Sequence, residues 1–271
     1  MTQKAGWPGS KRVAVAVAVM FETWPDGKAP SYSVQATSLK PGTVDHAGHA
    51  WSTYGGRSGA DRILRCLERH GVPATFFTNA RCTEIYTAVT KSIVAAGHEI
   101  AGHGYTQDQL LAYMTPEDED AAIRKCAEVI AERTGKRPAG WLSPVLAFTP
   151  HTSSLLARNG YKWHADVTYT DRPQRVETKD GVIAAVPFSD FTDNRVLRSN
   201  PEDLFDIYNG TFDYLYENEP GSLLVMGLHC HFGGRPIVTA VFDRILKRLS
   251  KFPDVWFARY GELGDWALSS D

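Results

Sequence analysis

One run constrains this chain more than any other. Arg12 to Glu22 reads RVAVAVAVMFE, with Val and Ala alternating without a polar residue between them. A strand that sends bulky apolar side chains to one face and small apolar ones to the other is buried on both faces. That is the signature of a parallel sheet or barrel wall rather than of a half-solvated antiparallel sheet. Similar short apolar runs recur at Pro73–Asn79, His98–His103, Ala139–Leu142, Tyr161–Asp166, Val182–Phe188, Ser222–His229 and Val255–Arg259. Between them lie amphipathic stretches: Arg57–Gly71, Ile85–Gly97, Thr149–Asn159, Pro201–Glu217, Pro236–Lys251 and Tyr260–Leu268. The clearest helix starts at Thr115-Pro-Glu-Asp, a cap followed by Pro at the first helical position, and stops near Gly135. About seven β/α alternations with no linker predict one α/β domain over residues 1–271, a (β/α) barrel or a close relative. The longest irregular stretch, residues 23–54, is predicted as a loop near the barrel mouth.

Composition narrows the function classes. Lys and Arg total 29 against 31 Asp and Glu, a formal charge of −2, so nothing marks the chain as a binder of nucleic acid or an anionic membrane. The expected partner is a small-molecule substrate. The four cysteines, Cys66, Cys82, Cys126 and Cys230, form no C-x-x-C pair. They read as buried thiols rather than a zinc ribbon or a disulfide framework. No apolar stretch at the amino terminus suits a signal peptide and none is long enough for a membrane span, so a cytoplasmic location is expected.

In β/α barrels, chemistry sits at the C-terminal ends of the strands. That rule selects Glu22 with Trp24 and Asp26 after the first strand, His103 and Tyr105 after the third, and His229 and His231 with Arg235 after Leu228. A carboxylate and up to three imidazoles are expected to converge on one rim. The acidic run 117–120, by contrast, suits a helix amino terminus better than a metal site.

These segments resemble the polysaccharide deacetylase (NodB homology) superfamily, and within it the branch of allantoinases, cyclic imide hydrolases and one class of peptidoglycan deacetylases. The resemblance is carried by Tyr54-Gly-Gly-Arg57, Gly71-Val-Pro-Ala-Thr-Phe-Phe77, Gly97-His-Glu-Ile-Ala-Gly-His-Gly-Tyr105, Gly140-Trp-Leu-Ser-Pro144, Pro187–Asn194 and Leu228-His-Cys-His-Phe-Gly-Gly-Arg-Pro236. It implies a distorted, TIM-like (β/α)7 barrel, hydrolysis of a non-peptide amide C–N bond, and a homo-oligomer, tetrameric in that branch. By the same resemblance, Glu22 falls on the strand-one acid, His103 on the first motif histidine and His229 on the late general acid. The family's second strand-one carboxylate is here Thr23, and its second motif histidine is Gln107.

The resulting expectation is water activated at Glu22, directly or through Zn²⁺ or another divalent metal, and nitrogen protonated by His229. Glu22 and His103 are the candidate metal ligands, to be completed by Asp26, His46, His49, Asp108 or His231; metal-independent catalysis remains open. Trp24, Asp26, Tyr105, Ser143, Asp193, Asn194, His231 and Arg235 are the expected substrate-contacting residues. A small cyclic amide, imide or ureide is the expected substrate. The alternatives are sugar N-deacetylation and a catalytically inactive ligand-binding barrel.

Overall fold

A computed structural model describes residues 6–33, 39–40, 42–189 and 191–269. The expected first strand is present as β1 (Val13–Phe21), every residue of it buried. Its two faces do different work. The valines and Phe21 pack outward against helices, in one cluster with Ile63, Leu67, Phe212, Phe242 and Ile245. The alanines and Met20 face the barrel interior, where Phe77, Trp163 and Tyr260 fill the space their small side chains leave.

Around β1 run β2 (Thr75–Thr78), β3 (Glu99–Gly102), β4 (Gly140–Trp141), β5 (Trp163–His164) and β7 (Gly181–Ala185) on one side, with β8 (Ser222–His229) on the other. All these ladders are parallel. β9 (Val255–Ala258) pairs with the first half of β1, along Val13–Ala16, while β2 pairs with its second half. The wall is a curled sheet of the (β/α)7 type. It has no β7–β8 ladder among the described residues; a single Thr192–Gly227 bridge lies against β8 instead.

The helices are α1 (His46–Tyr54), α2 (Ala60–His70), α3 (Ala80–Ile85), α4 (Thr87–Ala95), α5 (Pro116–Thr134), α6 (Thr152–Arg158), α7 (Asp203–Asn218), α8 (Pro236–Leu249) and α9 (Tyr260–Leu268). Thr115 caps α5 as expected, its side chain accepting from the Asp118 backbone N–H. Among the described residues no helix is long and apolar enough to cross a membrane, and all four cysteines are free and buried.

Three features depart from the sequence reading. The stretch 23–54 is not wholly irregular: α1 occupies its end and runs through a π-helical segment, Gly55–Gly59, into α2. Residues 34–38 and 41 of that stretch lie outside the described residues. The helix expected over Ile85–Gly97 is two short helices, broken where Tyr86 leaves helical geometry; its ring there fills the space above Gly56. A further strand, β6 (Gln174–Thr178), forms an antiparallel hairpin with β7. Its residues are mostly exposed, so no apolar alternation announces it.

The π segment brings α2 against the end of β8. A Cβ at Gly59 would lie 1.9 Å from the Cys230 carbonyl oxygen, which is backbone and cannot swing away. Gly59→Ala is therefore expected to lower unfolding free energy by about 1–3 kcal/mol, the cost of overpacking a rigid contact, as read by urea denaturation.

Candidate active site

Backbone hydrogen bonds at the strand ends place the chemistry. Asn79, immediately after β2, donates its N–H to the Phe21 carbonyl at 3.0 Å. Its side-chain Oδ1 accepts from the Thr23 N–H at 2.8 Å. Glu22 is thereby held between two anchored neighbours, 3% exposed at the end of β1. His103 follows β3 with its N–H on the Thr78 carbonyl at 3.1 Å. His103 Nδ1 donates to the Leu142 carbonyl at 2.7 Å, which turns Nε2 toward Glu22 Oε1 at 3.3 Å.

The late histidine is held more tightly. Asp193, fully buried, accepts from the His229 ring Nδ1 at 2.6 Å and from its backbone N–H at 2.8 Å. Asp193 reaches this position because Thr192 bridges to Gly227 of β8, where a side chain would collide with it. β8 ends at His229, so strand alternation does not govern His231. The following turn nevertheless brings the two rings to 5.4 Å between centroids.

Electrostatics separates the two expected catalytic groups. Burial alone would raise the pKa of Glu22, but three imidazoles, His229 foremost, outweigh it and bring the carboxyl down to about 2. Burial would likewise neutralise His229, yet Asp193 and then Glu22 push it up to about 9. At neutral pH the site therefore holds an ionised carboxylate beside a protonated imidazole. Asp166, whose two oxygens accept from the Ser143 N–H and hydroxyl at 2.7 Å each, is raised by burial to about 6.

Glu22, His103 and His229 line a cavity of about 460 Å³ together with Tyr32, Gln107, Ser143, Val145, Leu146 and Asn194. A larger cleft of about 780 Å³ opens at the other end of the strands, bounded by Asp61, Glu68, Pro73 and His98. It contains no comparable convergence of buried acid and base, so the chemistry belongs to the smaller cavity.

Of the expected substrate residues, Ser143 and Asn194 line this cavity. Asp193 acts behind His229 rather than on its surface. Trp24 packs edge-on against His231, with ring centroids 5.5 Å apart. Two expectations are corrected. Asp26 is an exposed side chain that reaches Arg81 at 3.7 Å. Tyr105 turns away to donate to Glu84 at 3.0 Å, under the Lys125 ammonium. Arg235 does not line the cavity either: it stacks on Tyr54 at 3.8 Å and donates to the Trp51 and His231 carbonyls. Tyr32, Asn79 and Asp166 were not singled out by sequence. Asn79 was within reach, since it ends a strand at the same rim.

The donor set does not fit the three-ligand metal centre that the family resemblance suggests. Glu22 and His103 converge, and His103 is oriented as ligand histidines are, by a carbonyl on its other nitrogen. Among the described residues no third His, Cys, Asp or Glu atom gathers with both of them, although His231 Nδ1 stands 3.6 Å from Glu22 Oε2. Gln107 Oε1 accepts from Asn79 Nδ2 at 3.1 Å, and Thr23 offers its backbone to the same side chain. Asp108 pairs with Lys28, and His49 meets the Lys28 carbonyl in an exposed position. Among the described residues, three His, Cys, Asp or Glu donors gather only at Cys66, His70 and Asp243, on α2 and α8. There Asp243 Oδ1 already accepts from Arg69 at 2.7 Å and meets His70 at 3.1 Å.

The comparisons agree with this architecture. The polysaccharide deacetylase family profile matches residues 46–164. A peptidoglycan deacetylase of Helicobacter pylori is 26% identical over 248 residues, covering 78% of this chain and 84% of that protein. The crystal structure of a probable polysaccharide deacetylase from Pseudomonas aeruginosa superposes with a TM-score of 0.86 at 28% identity, covering 97% of this chain and 93% of that one. An allantoinase crystal structure superposes equally well, with a TM-score of 0.86 at 27% identity and the same coverage of both chains. With the strand-end histidines, the strand-one acid and the curled wall of parallel strands already in place, these likenesses mark the chain as similar, in sequence and in fold, to the polysaccharide deacetylase (NodB homology) superfamily.

Proposed function

We propose that this chain, an amide C–N hydrolase of that superfamily, removes the acyl group from the nitrogen of an N-acylated amino sugar. The observation that carries the chemistry is the pairing, on one cavity, of an ionised Glu22 with a protonated His229 held by Asp193. Glu22 takes a proton from water, and the resulting hydroxide attacks the amide carbonyl. The positive charge on His229 steadies the negative charge that develops on the carbonyl oxygen. His229 Nε2 then gives its proton to nitrogen as the C–N bond breaks, leaving a carboxylic acid and an amine. Transfer of the proton from Glu22 back to His229 resets the site. The likenesses to the peptidoglycan deacetylase and to the probable polysaccharide deacetylase support the acylated sugar as substrate.

A second reading, hydrolysis of a small cyclic amide, imide or ureide, is favoured by the modest cavity, by Thr23 and Gln107 in place of ligands, and by the allantoinase likeness. Turnover of N-acetylglucosamine oligomers, allantoin, hydantoin and succinimide separates the two. Release of acetate from the oligomers is the expected result. Ring opening of a cyclic amide without acetate release would establish the second reading, and no turnover of either class would remove both. Because the donor set lacks a third ligand, overnight dialysis against a chelator is expected to leave the rate within about twofold.

The charge states also set the pH profile. The base works only when Glu22 is ionised, above about 2, and the acid only when His229 is protonated, below about 9. The value of kcat/KM is expected to stay level through neutral pH and to fall as pH rises past about 9. Loss of activity between pH 8 and pH 6 on acidification would contradict the assignment.

A further inference from the structure

One buried imidazole beside the base has no part in the acid–base steps. His231 is fully buried. Its Nδ1 lies 3.6 Å from Glu22 Oε2, and neither atom has a hydrogen-bond partner. At that distance the contact is electrostatic rather than a formed hydrogen bond. Its Nε2 lies 3.2 Å from the Tyr32 hydroxyl. The ring cannot turn freely, because Trp51 stands edge-on at 5.0 Å, Trp24 at 5.5 Å, and Arg235 holds the backbone carbonyl.

A neutral imidazole carries one hydrogen, and its partners decide which nitrogen holds it. Burial keeps His231 neutral, down at about 3 despite the nearby Glu22. Burial, with Glu22 and Asp193 close by, also keeps the Tyr32 phenol protonated. With the Tyr32 hydroxyl donating to Nε2, the ring hydrogen lies on Nδ1 and points at Glu22 Oε2. The other tautomer would aim a lone pair at an ionised carboxylate inside a buried site, which the low local dielectric penalises.

We infer that Tyr32 and His231 are positioning residues for the base: Tyr32 fixes the His231 tautomer, and the Nδ1–H steadies Glu22 Oε2. Two rings then flank the Glu22 carboxylate, His103 at 3.3 Å from Oε1 and His231 at 3.6 Å from Oε2, and the Nδ1–H of His231 points at the second oxygen. Tyr32 belongs to the stretch joining β1 to α1, downstream of Glu22 and far in sequence from His231. The base is therefore complete only when the Tyr32 hydroxyl is in place on His231. The effect on turnover rests on Glu22 acting as base, whereas the tautomer itself does not.

Two readouts test this. Imidazole ¹⁵N–¹H spectra of the labelled protein are expected to show His231 as the Nδ1–H tautomer, and Tyr32→Phe is expected to shift it toward Nε2–H. On the substrate found by the turnover screen, Tyr32→Phe should lower kcat about tenfold, with KM within about twofold. His231→Asn keeps an N–H donor where Nδ1 stood, so adding Tyr32→Phe to it should cost nothing further. An Nε2–H tautomer in the wild-type protein overturns the inference, and so does an equal kcat loss in the His231→Asn background. The spectra decide the tautomer even if no hydrolysis is found, and on Tyr32→Phe alone if His231→Asn does not fold.

Discussion

Glu22→Gln is expected to lower kcat by about 10²- to 10⁴-fold, the range over which a positioned general base acts, with little change in KM. The substitution preserves shape and burial while removing the negative charge and the proton acceptor. The carboxylate is 3% exposed and carries one oxygen, Oε2, with no hydrogen-bond partner, so it is not held there by a full set of structural contacts. A buried polar group left unsatisfied next to a cavity is the usual mark of a group kept for chemistry. Gln at this position also withdraws one of the charges that hold His229 protonated, so the alkaline fall in kcat/KM should begin below about 9. Steady-state kinetics across pH reads both effects on one variant. Unchanged turnover in Glu22→Gln would mean that the water is activated elsewhere.

Asp193→Asn carries the other large effect. The two carboxylate oxygens of Asp193 serve one residue, accepting from the ring Nδ1 and the backbone N–H of His229. An amide has a single acceptor oxygen, so one of those donors must meet an N–H instead. If the backbone bond survives, the ring is driven to carry its hydrogen on the cavity side in neutral form, and the imidazolium loses its counter-charge. The expected result is a kcat loss of about 10²- to 10⁴-fold, with the His229 pKa displaced downward. The sign follows from the causes: burial lowers this pKa, and Asp193 is the first group that raises it. At pH 6 the variant should regain part of its activity, because His229 is again protonated there. A variant equally impaired at every pH would show that Asp193 serves packing rather than proton chemistry.

How much of this was legible beforehand follows from which physics each element obeys. β1 was readable because burial on both faces leaves a run of alternating Val and Ala that nothing else produces. The α5 cap was readable because Thr, Pro and Asp each satisfy a separate demand of a helix amino terminus. The strand-end rule found Glu22, His103 and His229, since in a parallel wall every strand delivers its last residues to one rim. It failed for Asp26 and Tyr105 because the chain turns away within a few residues of a strand end, and Asp26 then finds Arg81 while Tyr105 finds Glu84. β6 escaped because its pairing with β7 is made by backbone groups, while its side chains are polar and exposed. Tyr32 carried no local signal at all. It reaches His231 across 199 positions of sequence, and only the seating of an irregular stretch brings the two together.

At neutral pH the site is expected to store a proton on His229 while Glu22 remains ionised. The imidazole ¹⁵N shifts of His229 followed against pH test it without any substrate. The ring is expected to stay doubly protonated through pH 8 and to titrate at about 9, and to titrate at clearly lower pH in Asp193→Asn. A wild-type His229 already neutral at pH 7 would contradict it.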